Sequence, residues 1–128
     1  MIVGRRLLVD VRAWPWGLAL VTDPASSEPV PANLNHNGVA AGRSILAASI
    51  QHAVDGEARA EVWLGSCGDE LTCAYEGDFF TSSGAVIVGD AAYEMKSPAE
   101  IGEGAHRLRV LVDEIGSAQR VVFEFTER

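Results

Sequence analysis

The sequence predicts an all-β fold, a single-domain antiparallel β-sandwich of about eight or nine short strands over residues 1–128. Three observations predict it. Apolar and polar residues alternate with a period of two in many short runs, and Gly-rich turns separate the runs at spacings of about ten residues. The composition, 48% hydrophobic and 22% charged, is typical of a globular domain, and a chain of this length can bury a substantial core.

The clearest alternation lies over Ala105–Asp113 and over a second run that follows a Gly-Ser turn. Each run has one apolar side and one largely polar side, so together they predict an antiparallel hairpin with one face buried. The inward side chains are Leu108, Val110, Val112, Val121, Phe123 and Phe125. Because a lone hairpin is unstable in water, we expect the rest of the chain to supply further sheet.

The N-terminal segment Val3–Arg12 alternates in the same way and predicts the first strand. Its expected inward set is Val3, Leu7, Val9 and Val11, and its outward set is Arg6, Asp10 and Arg12. Pro15 ends the pattern because proline lacks a ladder donor. Leu18–Thr22 then predicts a second short strand.

Residues 23–37 form the longest irregular segment, with three prolines and several Asn and Ser residues. Proline at this density is incompatible with a central strand, and the Asn residues favour turns. A loop of this length is either functional or poorly ordered. The sequence leaves its role open.

The Ala-rich stretch Val39–Ala53 fits both a strand and a helix. Asp55-Gly56 follows it, and Asp-Gly is a preferred hairpin turn. The run after this turn alternates as a strand does. We therefore predict a hairpin between residues 43–53 and 57–65, with a short helix near Val39 as the alternative.

Three more strands are expected in the second half of the chain. Leu71–Phe79 alternates imperfectly, which indicates a bulge near Gly77-Asp78. Ala85–Val88 and Ala92–Lys96 are short apolar runs that end at Gly-Asp and Ser-Pro turns.

No catalytic or metal-binding motif is present. His36, His52 and His106 stand in separate segments without metal-ligand spacing, and His106 shares the apolar face of its strand. Cys67 and Cys73 do not form a Cys-x-x-Cys pair, so we expect two free thiols, with a disulfide across the turn as the alternative. We predict no cofactor, no metal site and no enzymatic activity.

Charge is unevenly distributed along the chain. The net charge is −8, which argues against direct binding of nucleic acid. Residues 66–104 hold eight acidic residues and one lysine, a balance of −7. If these turns gather on one face, that face attracts a basic protein. The predicted contact residues are Glu76, Asp78, Asp90 and Glu94.

The second function class is binding of a small ligand or carbohydrate. Trp14, Trp16 and Trp63 could supply its stacking surface. The alternative for Trp14 and Trp16 is that they close one end of the core. The sequence predicts neither a secretory signal nor a membrane span, so we expect a cytoplasmic protein. Free sheet edges would allow a dimer.

In its order of elements the chain resembles the competence protein J family, small bacterial β-sandwich proteins that inhibit a DNA-entry nuclease. The segments that carry the resemblance are Arg6–Arg12, Gly38–Gly42, Ser44–Ser49, Ala60–Leu64, Thr81–Val88, Gly104–Val110 and Val121–Phe125. The element Trp14-Pro-Trp16 and the Pro-rich loop depart from it. The resemblance implies binding rather than catalysis, and it transfers no site residues.

Overall fold

Two five-stranded sheets pack face to face in the computed structural model, which describes residues 3–92, 94 and 98–127. The all-β fold is therefore confirmed, with ten strands among these residues. In spatial order the first sheet contains β1 (Arg5–Arg12), β5 (Ala58–Leu64), β10 (Arg120–Glu127), β9 (Gly104–Val112) and β6 (Thr72–Thr81). The second contains β3 (Val39–Ala41), β4 (Ile45–Ser49), β2 (Leu18–Thr22), β7 (Ala85–Asp90) and β8 (Ala99–Glu100).

The predicted C-terminal hairpin forms the centre of the first sheet. β9 and β10 are antiparallel, and Val110 lies opposite Phe123 while Leu108 lies opposite Phe125. All four side chains are fully buried between the sheets. Phe125 also meets Phe79 of β6 edge to face, with ring centroids 5.4 Å apart. The inward faces of both strands are as the alternation predicts, because a period of two assigns faces directly.

The sandwich is not wholly antiparallel. β5 and β10 run parallel, with Ala60 opposite Val121 and Val62 opposite Phe123. The other strand pairs described are antiparallel. Alternation reports which side of a strand is buried, whereas the direction of its neighbour depends on chain topology.

The predicted hairpin over residues 43–65 is wrong. β4 and β5 are both strands, but they belong to different sheets. Between them Ala53–Asp55 forms a 3-10 turn, and the His52 ring accepts a hydrogen bond from the Val54 amide at its start. Gly56 follows with φ of 117° and leads the chain across the end of the sandwich. Val39, the alternative helix position, begins β3 instead.

The face of β1 is inverted relative to the prediction. Its pairing with β5 shifts by one residue between Arg6 and Leu8, which is a β-bulge. Past the bulge Val9 and Val11 are 37% and 53% exposed, while Asp10 is only 4% exposed. A slip of one residue moves every later side chain to the opposite face, so the prediction fails for that part of the strand.

The remaining elements differ in detail. The bulge of β6 lies between Cys73 and Tyr75 rather than at Gly77-Asp78. A Cβ at position 77 would lie 2.1 Å from the Tyr75 hydroxyl, so the Tyr75 side chain would have to move if Gly77 were replaced. Most of the strand predicted over Ala92–Lys96 lies outside the described residues.

The Pro-rich loop is fixed at its start by a buried carboxylate. Asp23 accepts hydrogen bonds from the amides of Ala25 and Ser82 and from the Ser83 hydroxyl. Burial by itself would raise the pKa of Asp23, but these hydrogen bonds lower it to about 2. Glu28 holds the next part of the loop by accepting from the Ser44 amide and hydroxyl.

Candidate protein-binding surface

The outer face of the first sheet carries most of its charged side chains, and a strap covers its centre. We define the strap as residues 65–71, which connect β5 to β6. Its apolar members pack on apolar side chains of the sheet and form a small second core outside the main one. This cluster contains Cys67, Leu71, Trp63, Leu111 and Val122.

Glu61 lies fully buried in the covered part of this face. Arg120 Nε lies 2.7 Å and Arg59 Nε 2.9 Å from its carboxylate, and the Trp63 indole donates a hydrogen bond of 2.8 Å. Burial would raise the pKa of Glu61, but the hydrogen bonds from Arg120 and Trp63 and both guanidinium charges keep it below its ordinary value. The hydrogen bond to Glu61 in turn raises the pKa of Arg120.

Glu124 is the second buried carboxylate of this face. It accepts a hydrogen bond of 2.7 Å from the Cys67 amide of the strap, and Arg109 lies 3.5 Å away. Desolvation, with Glu124 close by, raises the pKa of the Cys67 thiol. Cys67 and Cys73 are both free thiols, the first buried and the second exposed. A buried thiol of raised pKa is a poor nucleophile.

Two of the predicted contact residues, Glu76 and Asp78, lie exposed on β6 at the edge of the same face. Their side chains are 46% and 50% exposed, and Arg107 of β9 lies 3.2 Å from the first and 3.4 Å from the second. Asp69 and Glu70 of the strap are also exposed. The Asp69 carboxylate, however, lies 2.7 Å from Arg120 of the central strand β10. We therefore call only Glu76 and Asp78 the acidic edge. These carboxylates face solvent and are accessible to a partner.

The other two predicted contact residues lie elsewhere. Asp90 is 3% exposed, and its carboxylate is 2.7 Å from Arg12 and accepts from the Ala92 amide. Arg12 also pairs with Asp10 and donates to the Glu94 carbonyl. This network links β1 to the end of β7. Asp90 therefore holds the fold together and is too buried to contact a protein partner.

Glu94 is exposed, but it lies near β1, the opposite edge of the first sheet from β6. Four strand spacings separate these two edges, about 19 Å. The acidic segment 66–104 therefore does not gather on a single face. The structure brings Glu76 and Asp78 together and leaves Asp90 and Glu94 apart from them.

The comparison with solved structures supplies an independent reference for this fold. The crystal structure of ComJ from Bacillus subtilis, described as the inhibitor of the DNA-degrading activity of NucA, matches with a TM-score of 0.73. The match covers 99% of this chain and all of ComJ. The chain has the ComJ fold. Sequence identity to ComJ is only 11%, so the likeness concerns the fold, which is the one that the order of elements predicts.

Sequence comparisons add nothing to this likeness. No protein-family model matches the chain, and no curated protein matches it. Because both sheets lie within the region matched to ComJ, the shared feature is the complete sandwich and not one hairpin. At this identity no ComJ residue can be transferred to a position here.

The three tryptophans do not form one surface. Trp14 is fully buried and donates a hydrogen bond to the Ala58 carbonyl, so it closes the core as the alternative interpretation expected. Trp63 lies partly buried beneath the strap. Trp16 is 77% exposed at one end of the sandwich, so the interpretation that it also closes the core is wrong. The stacking platform expected of all three is therefore not assembled.

The histidines are equally dispersed. His106 is buried with its Nε2 atom 2.7 Å from the Gly102 carbonyl, which satisfies the ring through the backbone as its position on the apolar face suggests. Across residues 3–92, 94 and 98–127, no group of three or more His, Cys, Asp or Glu could hold a metal ion. Within the same residues, no helix is long and apolar enough to cross a membrane.

Sequence reasoning missed the two buried carboxylates. Glu61 and Glu124 occupy outward positions of alternating strands, where exposure is the normal expectation. Both are covered by a strap whose path depends on the tertiary structure. The one local sign of a cover over this face is that two apolar residues, Trp63 and Cys67, stand near the end of β5. This sign is too weak to predict that Glu61 and Glu124 are buried.

Proposed function

We propose that this protein is a non-enzymatic inhibitor that binds a basic protein, such as a nuclease, through the acidic edge. The observation that carries the proposal is the match of almost the entire chain to the fold of ComJ, an inhibitor of a DNA-degrading activity. A fold alone does not define a function, so the surface chemistry must supply the second argument.

Electrostatics support this partner class. A nuclease that binds DNA needs cationic side chains against the phosphates, and a protein that occupies the same cleft needs carboxylates. The acidic edge presents two neighbouring exposed carboxylates on a chain whose net charge is −8. Complementary charge of this kind accelerates association and selects the partner, and salt weakens it.

Arg107 moderates the acidic edge. It pairs with both Glu76 and Asp78, and its own side chain is 44% exposed. Exposed ion pairs contribute little to stability, so a guanidinium from a partner can displace Arg107 at small cost. We infer that these two carboxylates are the centre of the contact and that Arg107 competes with the partner for them.

The test compares two charge reversals of equal size. The intact protein and the double variant Glu76→Lys/Asp78→Lys are immobilised and used to capture proteins from the source organism. Captured material is assayed for plasmid degradation with and without added protein. The matched control is Glu94→Lys/Glu100→Lys, which changes the net charge equally at exposed sites away from the acidic edge.

We expect the intact protein and the control to capture a nuclease and suppress its activity, whereas the acidic-edge variant does neither. Capture should weaken as salt is raised. Plasmid degradation that continues at saturating inhibitor would refute inhibition. Equal capture by the acidic-edge variant would instead remove this surface from the proposal.

Three further expectations accompany this function. We propose a cytoplasmic protein that makes no direct contact with nucleic acid. Dimerisation through a free sheet edge stays a prediction, which sedimentation can test. Ligand binding on a tryptophan platform has lost its basis because Trp14 is buried.

A further inference from the structure

Three loops meet at one end of the sandwich, away from the acidic edge. They comprise residues 13–17, 50–57 and 113–119, and we call this region the Trp16 end. Backbone hydrogen bonds join them: Ile50 donates to Gly17, Gln51 to Ala118 and Ala53 to Trp14, at 2.7 to 3.0 Å. The loops are therefore held together by main-chain contacts and present their side chains in a defined arrangement.

The Trp16 end exposes a group of large apolar side chains. Trp16 is 77% exposed, Val54 82% and Ile115 37%. Trp16 also has φ of 63°, and it is the one non-glycine residue with positive φ among the described residues. A bulky residue in this region is a steric outlier. The Gly17 amide, which donates to the Trp14 carbonyl at 3.1 Å, closes the turn that holds it there.

The charged side chains of the three loops themselves are acidic. The three loops contain four carboxylates and no Lys or Arg. Glu57 and Asp113 line a neighbouring groove together with Arg59 and Arg120, which leaves Asp55 and Glu114 as the carboxylates without an arginine beside them in that groove. All four residues are exposed. Trp16, Gln51, His52, Asp55 and Ser117 help to line a groove of about 420 Å³ between the loops. The end thus combines an exposed indole, a groove lined in part by Asp55, and the nearby carboxylate of Glu114 in the third loop.

We propose that the Trp16 end is a second docking surface, which binds an arginine-rich segment of a protein partner. The indole face of Trp16 attracts a guanidinium by a cation–π interaction. The carboxylates of Asp55 and Glu114 supply the countercharge, and Val54 and Ile115 contact the aliphatic part of the cationic side chains. A tryptophan on a rigid turn loses little freedom on binding and is a frequent hot spot. This surface is separate from the acidic edge.

The three tryptophans make the proposal testable by NMR. The probe is N-acetyl-tetraarginine amide, titrated into the ¹⁵N-labelled intact protein. The indole N–H groups differ in environment, because Trp14 donates to the Ala58 carbonyl, Trp63 donates to Glu61, and Trp16 is exposed. We expect the Trp16 signal to move on titration while the other two stay in place. Trp16→Phe identifies the signal by its loss.

Variants then separate this surface from the acidic edge. We expect Trp16→Ala to weaken peptide binding by about 3- to 10-fold, as loss of one cation–π contact would. Asp55→Asn/Glu114→Gln should also weaken it, whereas Glu76→Gln/Asp78→Asn should not. Unchanged Trp14 and Trp63 signals in each variant show that the chain is folded.

Four results would overturn the assignment. Peptide-induced shifts confined to the acidic edge, or binding that Trp16→Ala leaves unchanged, would exclude the Trp16 end. Movement of the Trp16 signal with protein concentration alone would assign the surface to self-association. Equal binding of spermine would show that it selects charge and not a peptide. None of these outcomes bears on nuclease capture by the acidic edge.

Discussion

The centre and the edge of the outer face of the first sheet contain the same residue types in different environments. At the centre the strap buries Glu61 and Glu124 among arginines. At the edge Glu76 and Asp78 pair with Arg107 in solvent. Buried charges must keep their partners or pay a large desolvation cost, whereas exposed pairs are nearly neutral for stability. Burial therefore decides which carboxylates maintain the fold and which are accessible to bind.

The difference between buried and exposed carboxylates is tested most directly by removing one carboxylate from each region. Glu61→Ala leaves two guanidinium groups beside an uncompensated site, so we expect the free energy of unfolding to fall by about 3 kcal/mol. Glu76→Ala, the matched change at the edge, should alter it by less than about 0.5 kcal/mol. Urea unfolding followed by circular dichroism measures both. Equal losses would mean that the strap does not isolate Glu61 from water.

Acid titration extends the comparison to a buried carboxylate outside this face. The pKa of Asp23 is about 2 in the folded protein, compared with the ordinary aspartate value of 3.8 that applies to the unfolded chain. The ionised Asp23 therefore stabilises the folded protein fully at pH values above 3.8. This stabilisation is lost as pH falls from about 4 to about 2, a loss of about 2 kcal/mol. Urea midpoints across this range measure it. Asp23→Asn should remove this loss of stability between about pH 4 and about pH 2. If the variant loses stability as the intact protein does, the hydrogen bonds to Asp23 do not stabilise its ionised form.

Thiol reactivity reports whether the strap stays closed. Cys73 is exposed on β6, and Cys67 is buried under the strap with a raised pKa. We expect an aromatic disulfide reagent to modify Cys73 quickly and Cys67 only as the strap opens or the chain unfolds. Cys73→Ser isolates the slow reaction. A fast reaction in this variant would show that the strap opens readily and that Glu124 is only intermittently covered.

The smallest effect is expected from the cation at the edge. Arg107→Gln removes the competitor for Glu76 and Asp78, so we expect the captured partner to bind about 2- to 3-fold more tightly at low salt. Stability should hardly change. Isothermal titration at two salt concentrations measures the affinity. Weaker binding would instead indicate that Arg107 itself contacts the partner.

The sequence allowed prediction wherever the structure follows from local alternation. The β9–β10 hairpin and its buried faces, the all-β class and the backbone-satisfied His106 all rest on a period of two. Which strands pair with each other could not be predicted in this way. β4 and β5 flank an Asp-Gly pair that favours a hairpin, and yet they belong to separate sheets. The predicted inward face of β1 is wrong beyond its β-bulge, because no residue pattern in the sequence marks the extra residue of the bulge.

The candidate surface was predictable only in part. The excess of acids in residues 66–104 pointed to Glu76 and Asp78, which alternate on one strand and therefore share a face; their role as contact residues stays a prediction. Asp90 could not be recognised as buried, because its partner Arg12 lies far away in sequence. Trp16 was visible as an aromatic residue near a proline, but its exposure depends on a turn that the sequence does not specify.

The parallel pairing of β5 with β10 has a consequence for how the chain folds. β10 is the last strand in sequence but the middle strand of the first sheet, between β5 and β9. Until it docks, β1 and β5 can pair only with each other, and β9 and β6 likewise form a separate ribbon. The first sheet is therefore complete only after β10 has joined the two ribbons. Such high contact order predicts slow, strongly cooperative folding in which both ribbons leave an open edge until the final strand closes them.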